Sequence, residues 1–479
     1  MRFDSVRSAA TRVLAVLALA ACAAASTAFA QGVTSASVRG RVLDEAGSPV
    51  ESAVIMATNV ATGQRYQARS RTGGQFNFEN LTVGRYTFEA RAIGFRPARL
   101  EGQRLSLGQL SEIELRLTAS AVELEAITAV AEAANPLISS ARTGAGSSVS
   151  DSVILRLPTL NRNFTDFISN VPQVVGTSVG GANNRFNNIQ IDGAVNNDLF
   201  GLASSGTPGG QAGARPISVE AVREFQVLIA PFDVRQGGFT GGIVNVVTRS
   251  GTNDFRGSVF GYYTNQSLQG SYTDSTGLLY KPTDFNRSQY GFTLGGPIIR
   301  DKLHFFTVVD FSRRATPYSP LGQITSDTTG GADSVGIGIR WSTAVRMDSI
   351  MQARYGYTVG GPVGPTIKNP DTNILFKLSG QLGTSTHFDL SHNSVVASDV
   401  NLYHSPSSAN DGYQLSNSGY TIASETHSTR LNLRTAFGGS FTNELMVGLT
   451  TVRDARELAN RIPRIVVNGD RCAALTALN

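Results

Sequence analysis

The sequence predicts a mostly β protein in three parts: a small β-sandwich, a glycine-rich α/β domain, and an incomplete antiparallel β-barrel of the transmembrane type. Short β-prone runs separated by turn signals fill residues 32–117. Between 147 and 251, apolar runs end at Asp-Gly and Ser-Gly turns. From Thr252 to Asn479, amphipathic strands are joined by connections that are alternately long and short, which is typical of outer-membrane barrels.

Residues 1–30 have the order of a secretory signal peptide. Arginines precede the apolar run 13–25, and a small-residue sequence ends at Ala30. The apolar run is too short for a stable membrane anchor, so we expect cleavage after Ala30 and export of the mature chain. The alternative is a lipoprotein processing box at 19–22, which would leave a lipidated Cys22 at the N-terminus.

Composition excludes several classes of protein. The net charge is +5, but the arginines are spread along the chain without a basic run, so we expect no nucleic-acid partner. The two cysteines, Cys22 and Cys472, are too few for a cysteine zinc site, and we expect no internal disulfide. After the N-terminus no run of about 20 apolar residues occurs, so a helical membrane span is not expected.

Residues 32–117 predict one small β-sandwich. The predicted strands are 38–43, 53–59, 76–78, 86–92 and 113–117. The sequences Gly40-Arg41-Val42-Leu43-Asp44 and Gly84-Arg85-Tyr86-Thr87-Phe88 resemble the carboxypeptidase regulatory-like domain. No histidine precedes His304, so this part cannot build a zinc site of histidine and glutamate, and we interpret it as a folded spacer or docking module.

Residues 118–146 are rich in Ala and Ser, as in a flexible linker. The next part, 147–251, predicts two strands that end at turns, 189–191 before Asp-Gly and 243–247 before Ser-Gly. Between them, the apolar spacing over 217–224 predicts a helix that leads into a strand at 225–229.

The last part predicts seven amphipathic strands. They lie near 256–264, 288–295, 303–312, 372–381, 386–396, 429–437 and 444–452. In the second, Tyr290, Phe292 and Leu294 share one face and polar or small residues share the other, which fits lipid outside and water or protein inside. In the fourth, Leu375 is an apolar exception on the polar face.

Five segments in a fixed order resemble the plug domain of TonB-dependent outer-membrane receptors, and most of all their Oar-like group. The segments are Leu157-Pro158-Thr159-Leu160-Asn161-Arg162, Val171-Pro172, Ile191-Asp192-Gly193, Val222-Arg223-Glu224-Phe225-Gln226-Val227, and the run from Gly242 to Gly251. The segment 290–306 resembles the early barrel hairpin of the same group. In that family the plug lies inside a barrel of 22 strands, so we expect the chain to be the N-terminal part of a longer receptor.

The resemblance also implies site residues and partners. The segment 122–131 resembles a TonB box, the extended segment pulled by a TonB-type periplasmic energy-coupling protein; a linker strand without a partner would look similar. Its residues are Glu125, Ile127, Thr128, Ala129 and Val130, and the plug motif residues are Asp192, Gly193, Glu224 and Asn245. The protein would lie in the outer-membrane lipid of a Gram-negative-type bacterium, with a periplasmic N-terminal domain and an unknown extracellular ligand.

We therefore predict a TonB-dependent receptor that takes up a ligand by energy-coupled displacement of the plug. The alternative is a surface interaction or adhesion protein that carries nothing across. We expect no enzyme activity, catalytic residue, cofactor or metal. The glycine-rich run 206–213 lacks the Lys-Ser/Thr of a phosphate loop. His387 and His392 could meet near one rim, but we interpret them as lumen or loop residues.

Overall fold

The computed structural model describes most of the chain between Val33 and Leu458. The described residues are 33–119, 127–129, 145–154, 156, 159, 162–169, 171–172, 174–176, 178–203, 205–229, 236–273, 279–280, 285–317, 341–359, 366–383, 385–402, 419–437 and 441–458. The predicted signal peptide, both cysteines and most of the predicted linker lie outside them.

The first part is a sandwich of two sheets. Its strands are β1 (Ala36–Asp44), β2 (Val54–Asn59), β3 (Arg65–Arg69), β4 (Gln75–Leu81), β5 (Gly84–Arg91), β6 (Ala98–Leu105), β7 (Leu110–Leu117) and β8 (Ile127–Ala129), with a 3-10 turn at Thr72–Gly74. The sheet orders are β4-β1-β7 and β3-β2-β5-β6-β8. Successive side chains of a strand point to opposite faces, so Tyr86, Phe88 and Ala90 of β5 all enter the core. Burial of Phe88 contributes roughly 1.5–3 kcal/mol.

The second part, which we call the plug, covers residues 145–248. Its elements are β9 (Ala145–Ser150), α1 (Asp151–Ile154), α2 (Phe164–Ile168), β10 (Val174–Val175), β11 (Ser178–Val179), β12 (Asn188–Ile191), β13 (Ala194–Val195), β14 (Val222–Ile229) and β15 (Gly242–Thr248), with 3-10 turns at Asn184–Phe186, Gly210–Ala212 and Val219–Ala221. The main sheet has the order β13-β12-β15-β14-β9, and β15 at its centre is buried along its whole length. Burial on both faces explains why β15 is apolar except at Asn245 and Thr248, whose side chains are hydrogen-bonded.

The prediction of a helix at 217–224 is wrong. Ser218 caps a single 3-10 turn, Val219–Ala221, and β14 begins at Val222. Nearly every side chain here is buried, because the segment lies between the plug sheet and the third part of the chain. The apolar spacing therefore reflects burial on several sides and carries no helical period.

The third part, which we call the wall, is one antiparallel sheet of seven strands in sequential order. They are β16 (Arg256–Asn265), β19 (Asn286–Ile299), β20 (Leu303–Pro317), β21 (Thr366–Leu382), β22 (Thr386–Leu402), β23 (Gly419–Phe437) and β24 (Phe441–Leu458); α3 (Gln266–Gln269), β17 (Tyr272–Thr273), β18 (Leu279–Tyr280) and α4 (Trp341–Tyr355) lie between them in sequence. All seven predicted strands are present, and each is longer than predicted.

The two faces of the wall reverse the pattern of a soluble protein. Tyr290, Phe292 and Leu294 are exposed on the outer face, whereas Gln289 and Thr293 are buried on the inner face. The strand bounds leave short connections at one end, 300–302, 383–385 and 438–440, and long ones at the other, as predicted. We call these the short-turn end and the long-loop end.

Among the described residues, no helix is long and apolar enough to cross a membrane.

Candidate functional site between plug and wall

Arg215 of the plug lies between two carboxylates of the wall. Its Nε is 2.9 Å from Oδ2 of Asp371, and its Nη2 is 3.3 Å from Oδ1 of Asp310. The three side chains are at most 6% exposed. Burial disfavours the charged guanidinium, but Asp371 and Asp310 together raise the pKa of Arg215, which therefore stays charged. The result is a buried ion triad that joins the plug to β20 and β21.

Amides and hydroxyls complete this contact. Ser218 Oγ and Gln289 Nε2 donate to Oδ2 of Asp310 at 2.6 and 2.9 Å. On the wall, the Asn373 side chain donates to the Arg215 carbonyl at 3.1 Å, and Asn393 to that of Pro216 at 2.9 Å. The wall thus binds the plug backbone as well as one side chain, which fixes the position of the loop.

A second contact lies nearer the short-turn end, at the predicted Asp-Gly turn. Asp192 and Gly193 have φ of 48° and 79°, and they join β12 to β13 as a tight hairpin. The Asp192 carboxylate accepts from the backbone and side chain of Thr248 at 2.9 and 2.7 Å. Lys377 of the wall is 3.5 Å from Asp192 and donates to Thr248 Oγ1 at 2.9 Å. The Asp-Gly turn, the end of β15 and strand β21 of the wall are therefore joined by one hydrogen-bond network.

Glu224 and Asn245, the other two plug motif residues, face the sandwich instead. The Glu224 Oε1 accepts from the Ser148 hydroxyl, and from the Leu107 N–H at 3.3 Å. The Asn245 amide donates to the Val33 carbonyl. The four motif residues therefore form no single site: Asp192, which Gly193 follows in the turn, meets the wall, and Glu224 and Asn245 meet the sandwich.

Burial raises the pKa of Glu224, and the hydrogen bonds from Ser148 and Leu107 oppose that shift only in part. Because the pKa of Glu224 is raised in the folded state, the protonated carboxyl stabilises the folded chain. This stabilisation is complete at pH values below the ordinary glutamate pKa near 4.5. That contribution is lost as the pH rises through the folded pKa. We expect Glu224→Gln to have the wild-type unfolding midpoint at pH 4 and a higher midpoint at pH 8.

Thermal unfolding of the purified chain in detergent measures this difference. Glu114→Gln is the matched control, because Glu114 is an exposed glutamate paired with Arg116 on the sandwich. Equal midpoints for Glu224→Gln and wild type at both pH values would contradict the burial effect.

The sandwich also contacts the wall at the short-turn end. The Tyr66 ring stacks on His387 with centroids 4.0 Å apart. Gln381 Nε2 donates to the Arg65 carbonyl at 3.1 Å, and the Asn253 N–H donates to that of Ala61 at 2.9 Å. The sandwich thus closes over the same end of the wall as the Lys377 contact.

His387 and His392 do not meet. Five positions apart on β22, they lie on opposite faces: His387 is buried against the sandwich, and His392 is exposed beside His427, with ring centroids 6.0 Å apart. Among the described residues, no three His, Cys, Asp or Glu side chains are grouped to hold a metal ion.

Part of the TonB-box-like segment forms a strand. Residues 127–129, Ile-Thr-Ala, form β8. This strand pairs in parallel with residues 98–100 of β6 and is the edge strand of its sheet. Glu125 and Val130 lie outside the described residues.

Sequence reasoning missed Arg215, Asp310 and Asp371. One signal was present: the inner face of β21 carries a polar or charged residue at nearly every alternate position. That face comprises Asn369, Asp371, Asn373, Leu375, Lys377 and Ser379. Leu375, the predicted exception, joins Phe306 and Val308 in packing against the plug core.

A wall that is apolar outside and polar inside, with a folded domain held on its inner face, defines an outer-membrane β-barrel protein with a plug. Residues 37–118 match the carboxypeptidase regulatory-like domain family, and residues 247–334 match the outer membrane beta barrel domain family. The chain is 28% identical over 299 residues to the TonB-dependent transporter Oar of Myxococcus xanthus, an alignment that covers 59% of this chain and 27% of Oar. The chain is therefore a homologue of Oar that carries a carboxypeptidase regulatory-like domain and an outer membrane beta-barrel domain.

A second relative is the probable TonB-dependent siderophore receptor PirA of Acinetobacter baumannii, 25% identical over 202 residues, 38% of this chain and 24% of PirA. The chain therefore spans about a quarter of each of these two curated relatives. Among solved structures, the outer membrane transporter YddB from Escherichia coli is similar with a TM-score of 0.45 and 15% identity, over 65% of this chain and 39% of YddB.

Proposed function

We propose that this chain takes up a ligand across the outer membrane, and that a TonB-type periplasmic protein supplies the force that displaces the plug. The long loops and the plug surface at the long-loop end would receive the ligand from outside. The sandwich would lie on the periplasmic side. The observation that carries the proposal is the set of polar contacts by which the plug is held on the wall.

Those polar contacts suit a plug that must be released from the wall and bind to it again. Release of a largely apolar interface would expose hydrophobic surface to water, at a free-energy cost of about 25 cal/mol for each Å². Here wall asparagines and charged groups bind plug groups that water can solvate after release, with Arg215 and Asp192 as the main plug partners. Among the described residues, the buried apolar wall side chains that meet the plug form two small sets: Phe306, Val308 and Leu375 join the plug core, and Val395, Ala397 and Ile422 pack with Ala212 and Ala214.

The segment 122–131 would transmit the force. An extended segment can add its backbone to the sheet edge of a partner, and the three residues of β8 already adopt such a strand on the sandwich. The segment precedes β9, which pairs along β14 at the edge of the plug sheet. A pull on the segment would therefore act first on β9 and then on the sheet behind it.

A binding measurement tests the coupling step. The purified periplasmic domain of the TonB-type protein from the same organism is titrated onto outer-membrane fractions that contain the chain. We expect Ile127→Pro to weaken binding about tenfold or more, because proline removes one backbone donor and fixes φ.

Ser139→Pro is the matched control, since Ser139 lies in the same predicted linker, 118–146, but outside the segment 122–131. Equal loss of binding in both proline variants, or no binding by the wild type, would refute the role of the segment.

A further inference from the structure

A cavity of about 100 Å³ lies where sandwich, plug and wall meet. The sandwich contributes Asn59 and Thr82, the plug Asp192 and Thr248, and the wall Arg430, among others. A cavity of this size has room for several water molecules. Because all three parts line it, anything bound there would contact each of them.

Most charged groups of this cavity are already paired. Lys377 is paired with Asp192 at 3.5 Å, and Arg434 with Asp389 at 3.2 Å. Arg223 is paired with Asp151 at 3.3 Å. Within each pair the opposite charges compensate each other. The two carboxylates that line the cavity, Asp192 and Asp389, are therefore already paired.

Arg430 is different. It is 3% exposed, and its Nε, Nη1 and Nη2 are buried without a hydrogen-bond partner among the described residues. Asp192 attracts it electrostatically but makes no hydrogen bond to it. A buried cation without a partner is strongly unfavourable, so the site requires a counter-ion.

We propose that this cavity binds a small tetrahedral oxyanion, with phosphate as the representative, and that Arg430 is its main ligand. The planar guanidinium offers several N–H donors in a fork that fits two oxygens of such an ion at once. Hydroxyl groups of Ser250 and Ser391 line the same cavity and supply further donors. The ion would link the wall to the plug and the sandwich. This proposal does not depend on the transport reaction.

The test uses the whole chain purified in detergent, with inorganic phosphate as the probe. Phosphate replaces chloride at constant ionic strength, and the thermal unfolding midpoint is followed. We expect a saturable rise of at least about 2 °C in the wild type. Arg430→Gln should lose this rise, and Arg430→Lys should bind phosphate about 10- to 100-fold more weakly, because lysine keeps the charge but lacks the fork.

Arg453→Gln is the matched control, since Arg453 is an exposed arginine of the neighbouring strand β24. It should keep the full response to phosphate. In buffer without phosphate, Arg430→Gln should be at least as stable as the wild type, because it removes an unpaired buried charge; this also shows that the variant folds. A wild-type midpoint that does not respond to phosphate, which would mean that the cavity holds water only, overturns the proposal, as does an equal response in Arg430→Gln.

Discussion

Replacing Arg215 by methionine is expected to destabilise the docked plug by about 3–5 kcal/mol, because it leaves two buried carboxylates without a cation. Asp310 and Asp371 are at most 3% exposed, so water cannot take the place of the guanidinium without opening the interface. The plug loop that carries Arg215 should then leave the wall first. Limited proteolysis of the native chain in detergent, followed across a denaturant series, measures the loss.

Two further variants separate the ion triad from a general effect of losing an arginine. Arg223→Met removes a cation that is 40% exposed and paired with Asp151 at 3.3 Å, so it should cost only about 0–1 kcal/mol. Combining Arg215→Met with Asp310→Asn and Asp371→Asn should recover much of the stability, because no uncompensated charge remains. If Arg215→Met were as stable as Arg223→Met, the triad would not be what holds the plug.

The strands of the wall could be predicted because their signal is local. Side chains alternate between a lipid face and an inner face, so three aromatic or aliphatic residues at alternate positions define a strand without knowledge of its neighbours. Tyr290, Phe292 and Leu294 are one such set. The sequence does not predict the extensions of β22 and β23 toward the long-loop end, because polar residues such as Ser398 and Glu425 interrupt the apolar face there.

Two strands of the sandwich were missed for a related reason. β3 buries only Ala68 among its five residues, and β6 buries only Leu100 and Leu105 among eight. Their other positions are mostly charged or polar, so no apolar alternation appears in the sequence. In β6, Gly102 has a φ of 74° beside an irregular register with β5, which breaks the period further.

The contacts that hold the plug could not be predicted from sequence, because their partners are distant along the chain. Arg215 meets carboxylates 95 and 156 positions away, and no pattern within one segment encodes such a pair. The plug motif was recognisable as a motif, yet its residues meet two different neighbours. Only the fold assigns Asp192 to the wall and Glu224 to the sandwich.

Locking the plug to the wall is expected to abolish its displacement. Ser250 of the segment after β15 and Ser379 of β21 have hydroxyl oxygens 3.1 Å apart, so cysteines at both positions are close enough to form a disulfide. Ser218, which is fully buried between plug and wall, reports on movement when it is replaced by cysteine. We expect a maleimide reagent to label Ser218→Cys in energised cells and to fail when Ser250→Cys and Ser379→Cys are also present and oxidised.

The matched control crosslinks two wall strands without the plug. The Ser428 and Thr450 hydroxyls are also 3.1 Å apart, on β23 and β24, so Ser428→Cys with Thr450→Cys tests oxidation itself and should leave labelling unchanged. All variants carry Cys472→Ser to remove a native thiol. If Ser218→Cys stays unlabelled in energised cells even without the lock, the plug does not move. The proposed transport would then give way to a surface protein that binds a partner and carries nothing across.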